Sequence, residues 1–427
     1  MQLLSTAAPV DAGDTAWIIV CTALVLLMTP GLAFFYAGMV RSKHALAMIM
    51  QSFTTIAVVS VTWVVVGYSL AFDADAGDGL IGGLHLAGLA HAAVAVPGLP
   101  LTVPPLAFVA FQLMFAIITA ALISGASADR MRFGAFVTFV AIWSVVVYAP
   151  LAHWVWSPDG WLHRLGLLDF AGGTVVEIAS GASALALALV LGPRRGWPRE
   201  MMAPHNVPLT LLGAGLLWFG WIGFNAGSAL TAGTLAASAA LATHLSGVGG
   251  MIGWLLLEKR LTGKATTLGG ATGAVAGLVA ITPAAGFVAP VPAILVGAAA
   301  GVVCLFAIRL KFRFRYDDSL DVVAVHYVGG VIGTLSIGLL AAVSVNPAVT
   351  HQGLFLGGGL TQLGRQLLGV AVASAFAFAA SYGIARALRA TIGLRVTPED
   401  EHDGLDASQH AESAYEFTAT SSLGRTS

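Results

Sequence analysis

The chain has 427 residues, 57% of them hydrophobic and 10% charged, with a formal net charge of −1 and a mean hydropathy of +0.86. That balance excludes a soluble domain of this size, and the net charge singles out no partner. Cys21 and Cys304 both lie in apolar runs, so they imply neither a disulfide nor a metal site.

A helix that crosses the hydrocarbon core needs about 20 mostly apolar residues. Runs of this kind, bounded by charge or by Pro and Gly, occur at 17–38, 45–71, 104–127, 133–151, 170–192, 206–226, 233–257, 267–284, 290–310, 321–343 and 364–388. They are continuous and not alternating, which predicts helices and not barrel strands. Met1 to Ala16 carry no basic stretch, and the apolar run from Trp17 is too long for a signal peptide, so it reads as a true first span.

Lys and Arg set the orientation. With the N-terminus outside, the inward loops hold Arg41, Lys43, Arg130, Arg132, Arg194, Arg195, Arg199, Lys259, Arg260, Lys264, Arg309, Lys311, Arg313 and Arg315. The outward segments hold only Arg164 and Arg365. Eleven spans then leave the C-terminus inside, with Arg386, Arg389, Arg395 and Arg425. The predicted fold class is an all-α polytopic membrane protein with two five-helix halves of inverted topology plus one extra helix. Residues 1–390 form the transmembrane domain and 391–427 a cytoplasmic acidic tail. From Arg395 onward Glu399, Asp400, Glu401, Asp403, Asp406, Glu412 and Glu416 face only two basic residues.

Titratable groups inside spans are costly and often mark a pathway. Asp169 opens the fifth span, and Glu177 lies eight residues on, about 12 Å deeper at 1.5 Å per residue. Asp321 opens the tenth span from the opposite face, and His326 follows five residues later. Glu177 and His326 thus approach the midplane from two sides, as a proton or cation path requires. Asp169 and Asp321 also suit helix capping, and a lone His in a span suits packing, as His244 does. At the outer level, Trp156 and Ser228 could pair a π face with a hydroxyl for cation recognition, or serve as an interfacial belt residue and a packing group.

Several stretches resemble those of the ammonium transporter (Amt/Mep/Rh) family: Asp169-Phe170-Ala171-Gly172-Gly173-Thr174-Val175-Val176, Trp221-Ile222-Gly223-Phe224-Asn225-Ala226-Gly227-Ser228, and Asp317-Asp318-Ser319-Leu320-Asp321 leading to His326. Phe111-Gln112-Leu113-Met114-Phe115 and His153-Trp154-Val155-Trp156 match as well. The likeness runs from the first span to Tyr415. It implies a transporter carrying ammonium or ammonia through an apolar pore of the inner (cytoplasmic) membrane. Trp156, Ser228 and Phe115 would form the outer recruitment site, Phe115 and Phe224 a gate, and Asp169, with Asp321, structural support. Of the family's two pore histidines, His326 matches the second, while Glu177 stands at the first, a departure that resembles some fungal members. The two would titrate as a coupled unit.

The resemblance also implies a homotrimer, a tail segment 401–406 that couples neighbours, and a PII-type signalling protein at the cytoplasmic mouth. Neither a cofactor nor a nucleic-acid partner is expected. An ammonium sensor signalling through its tail is the main alternative, and a gas or urea channel on a related scaffold a second. An enzyme is not expected, since no metal cluster, nucleophile triad or phosphate loop is present.

Overall fold

The computed structural model describes residues 9–91, 96, 98–200 and 202–415. Glu416 and Arg425 of the predicted tail lie outside the described residues. The eleven predicted runs all become helices: α1 Ala12–Met39, α2 Ser42–Phe72, α3 Pro105–Ser127, α4 Phe133–Arg164 with a break after Trp156, α5 Gly173–Leu191 and α6 Val207–Gly227. They continue as α7 Thr234–Thr262, α8 Thr267–Ile281, α9 Pro290–Phe314, α10 Val323–Leu340 and α11 Thr361–Thr391. Ten are long and apolar enough to cross a bilayer, and α8 is a shorter apolar helix. The chain is a multi-pass membrane protein.

The helix pairings repeat with an offset of five. The first members of each half, α1 and α6, lie along each other, as do the fifth members, α5 and α10. The α1–α3 contact is echoed by α6–α8, and α2–α4 by α7–α9, as two copies of one five-helix unit require. The eleventh helix packs on α5 and α10.

Small residues set these crossings. A Cβ on Gly213 would run into the backbone of Phe35 on α1. One on Gly301 of α9 would meet the Gly250 carbonyl of α7, and one on Gly277 of α8 the Ser246 carbonyl. Lipid supplies no hydrophobic drive between helices, so this close backbone approach is what makes packing favourable.

Among the described residues four wide π turns occur in the helices: Trp63–Gly67 in α2, Ser144–Tyr148 in α4, Gly173–Ile178 at the start of α5 and Val323–Tyr327 at the start of α10. The last two carry Glu177 and His326. Turns of this type are frequent at functional sites.

The C-terminal segment is not a free acidic end over its described length. Short helices α12 Pro398–Asp403 and α13 Leu405–His410 dock on the inward-facing loops. Glu401 pairs with Arg395 at 2.6 Å and accepts the Arg195 amide at 2.6 Å. Asp406 accepts the Ala47 and Leu46 amides at 2.8 and 3.1 Å, capping the open start of α2. Tyr415 bonds His205 and Asn206 at the start of α6. Carboxylates that composition alone marks as solubilising are spent on particular backbone donors.

Candidate functional site

Three cavities lie in sequence through the bundle between the two halves. The outer one, about 100 Å³, is lined by Phe72, Phe108, Gln112, Phe115, Trp156, Phe170 and Ser228, with Leu99 and Leu230. The fifth span's entry loop builds one wall. Asp169, buried, accepts the amides of Gly172, Gly173 and Thr174 at 2.7, 2.6 and 2.7 Å and also the Thr174 hydroxyl. These are the unpaired donors of a helix start. Gly172 has φ of 121°, a conformation open to glycine. The Asp169 carbonyl in turn accepts Trp156 Nε1 at 3.1 Å, which fixes the indole plane. Asp169 therefore holds both the loop and the indole in place.

Ser228 lies at the end of α6, where its hydroxyl donates to the Phe224 carbonyl at 2.9 Å. With that proton committed, the Ser228 oxygen can only accept from an entrant. Trp156 and Phe115 present rings with centroids 5.9 Å apart and planes at 87°. The three predicted recruitment residues thus share one cavity.

Below them the Phe115 and Phe224 rings lie 4.2 Å apart, centroid to centroid, Phe115 lining the outer cavity and Phe224 the space beneath it. Under Phe224 a second space is walled by Met28, Leu32, Ile118, Leu122, Leu217, Trp221 and Val275, and has room for about 10 Å³. That is at the lower limit for one water. Trp221 is held there by its Nε1 bond to Thr282 at 2.8 Å. Glu177 and His326 are the titratable groups that line this space, both buried, with His326 Nδ1 2.7 Å from Glu177 Oε2. One proton is shared across that contact: either the imidazole donates to a carboxylate, or a carboxyl donates to the imidazole.

His326, Phe35 and Val275 also border the third cavity, about 640 Å³, which opens at the inner face among Tyr36, Arg194, Arg199, Glu200, Glu258, Lys311 and Asp321.

One sequence expectation is corrected here. Asp321 does not cap α10; it has a φ of 62° and pairs with Lys311 Nζ at 2.6 Å. The cap is Asp318, whose Oδ2 accepts the Val323 amide at 2.7 Å. Asp318 precedes His326 by eight residues, as Asp169 precedes Glu177, so the two halves repeat the same cap-to-pore spacing.

Sequence reasoning also missed the polar brace under the inner cavity. Arg130, fully buried, donates to the Asp317, Gly192 and Ala128 carbonyls and to Ser319 Oγ. Arg194 grips both Asp317 oxygens at 2.9 Å and lies 3.5 Å from Asp129, which also pairs with Arg41 at 3.2 Å. Burial raises the Asp317 carboxyl, but the Arg194 and Arg130 guanidiniums outweigh it and hold the group below its ordinary range. These arginines appear in the sequence as orientation charges, and nothing in their spacing announces the brace.

A sequence model of the Ammonium Transporter Family matches residues 16–415. An ammonium transporter of Mycobacterium tuberculosis (strain ATCC 25618 / H37Rv) is 51% identical over 438 residues, with 96% of this chain and 92% of that protein covered. One of Bacillus subtilis (strain 168) is 46% identical over 405 residues, with 95% and 98% covered. Among solved structures, Saccharomyces cerevisiae Mep2 matches with a TM-score of 0.85 at 36% identity, covering 93% of this chain and 92% of that one. A structure described as a sensor Amt protein matches at 0.86 and 32% identity, over 93% and 98%.

Proposed function

Because this chain belongs to the Ammonium Transporter Family and transports ammonium across a membrane, we propose that it captures the ion outside, strips its proton and passes ammonia inward through the dry central space. At the outer cavity the Trp156 and Phe115 π faces and the accepting Ser228 oxygen replace lost hydration, and Asp169 holds Trp156 in place. The Phe115–Phe224 pair serves as a gate against hydrated ions. Past it, the described walls are aliphatic and aromatic side chains with one titratable pair. Desolvating a small cation there is far more costly than moving a neutral amine.

The observation that carries this reading is the Glu177–His326 contact of 2.7 Å inside an otherwise apolar passage. The pair takes the proton left behind and relays it inward, through the shared-proton exchange described above. The chain's own contribution is positioning and protonation, and it acts as a transporter and not as an enzyme.

The inner membrane location, a homotrimer with one pore per subunit, and a PII-type protein entering the 640 Å³ inner cavity belong to the same proposal. So does the division at residue 390 into a membrane domain and a tail that couples neighbours; the contacts of Glu401 and Asp406 with Arg195, Leu46 and Ala47 put that tail where it can bear on the inner loops.

The test is the transient current of purified protein in liposomes on a supported membrane after an ammonium step, for wild type and Glu177→Gln. The variant should lose charge movement by about a hundredfold or more, the scale of a lost proton-transfer group. A wild-type current in Glu177→Gln would end the relay. Ammonium binding with no current in the wild type would favour the sensor reading.

A further inference from the structure

The ammonium ion offers four N–H groups in a tetrahedron, and each must find an acceptor or a π face when water is stripped. Trp156 and Phe115 give two ring faces nearly at right angles, and Ser228 gives one oxygen. Around the outer cavity Phe72, Phe108 and Phe170 add further ring surface, but Ser228 is the one acceptor oxygen described so far.

Gln112 supplies a second. It stands one helical turn before Phe115 on α3 and lines the same cavity. It is only 9% exposed, and its Oε1 is buried with no hydrogen-bond partner. The other buried glutamines of the bundle are used differently: Gln51 Oε1 accepts from Ser127, and Gln362 and Gln366 bond each other and the backbone at Gly166, Leu168 and Thr334. A buried amide held without a partner is costly, and a Leu or Met would fill the volume without that cost. No internal hydrogen bond opposes a half-turn about its Cγ–Cδ bond, which places the carbonyl oxygen where the amide nitrogen stood.

We infer that Gln112 is a further recognition residue of the outer site, its side-chain carbonyl accepting an N–H of the incoming ammonium ion beside Ser228. This rests on the reading of that cavity as the recruitment site.

The experiment measures half-saturation and maximal ammonium current in reconstituted full-length protein for wild type, Gln112→Leu, Gln112→Met, Gln112→Glu and Ser228→Ala. Melting temperature is recorded for each. Loss of the acceptor should raise half-saturation about tenfold in both Leu and Met variants, the scale of one hydrogen bond to a charged group. Maximal current should change much less. Gln112→Glu keeps an acceptor oxygen and should stay at or below the wild-type value. If Gln112→Leu does not fold, Gln112→Met carries the same comparison. Wild-type half-saturation in the Leu and Met variants, whether or not melting falls, overturns the inference. If Ser228→Ala is shifted in that case, the recruitment site itself stands; if it is unshifted too, both readings fall.

Discussion

At the scale of single residues, the buried carboxylates divide by what surrounds them. Asp318 caps α10 through one oxygen, while its Oδ1 is buried without a partner. Burial, and next the Asp321 charge, push its carboxyl from 3.8 up to about 6, against the pull of Lys311 and the Val322 and Val323 amides. The folded chain therefore keeps a proton that an unfolded one releases. This contribution to stability is complete below about pH 4 and lost as pH rises through about 6. Asp318→Asn cannot titrate, so wild-type stability in detergent should fall relative to the variant by about 1 to 2 kcal/mol between pH 5 and pH 7. Parallel pH profiles of melting temperature would contradict it. Glu177 and His326 were legible in the sequence because ionisable groups are rare in apolar runs. Asp318 was not, because three acidic residues at 317, 318 and 321 compete for one cap and only the backbone turn selects among them. The eight-residue spacing shared with Asp169 and Glu177 was the available signal.

At the scale of elements, apolar length located all eleven helices, since every one has to satisfy its backbone within itself in lipid. The fourth was cut short at 151, yet its α-helical course continues to Trp156. Pro150 stands in the first turn after the π turn Ser144–Tyr148, where its missing N–H does not break the helix. The docked tail was less legible, because composition reports the number of carboxylates and not the amides that Glu401 and Asp406 cap. Helix crossings follow from glycine. Gly301→Ala would press its Cβ against the α7 backbone, which cannot swing aside, and should cost about 1 to 3 kcal/mol of stability. Gly215→Ala, where a Cβ would meet nothing within 4 Å, is the matched control. Equal melting temperatures for the two variants would mean that the α7–α9 crossing does not depend on close backbone approach.

At the scale of the whole molecule, two inverted five-helix halves place Glu177 from one and His326 from the other in contact at 2.7 Å, between an outer cavity of about 100 Å³ and an inner one of about 640 Å³. The inverted plan was legible from helix parity and charge. The near-closure of the space between the cavities was not, since it depends on how Phe115, Phe224 and Trp221 turn after packing. That closure is what separates passage of ammonia and a proton from passage of an intact hydrated cation. A carboxylate in the passage makes the distinction sharper, because a wet route past Glu177 would admit potassium as well. The most direct measurement is therefore the current of wild-type protein in liposomes on a supported membrane, after an ammonium step and after an equal potassium step. The deprotonation account predicts current with ammonium and none with potassium. Comparable currents with both ions would contradict it, and would make the space at Glu177 a hydrated cation route.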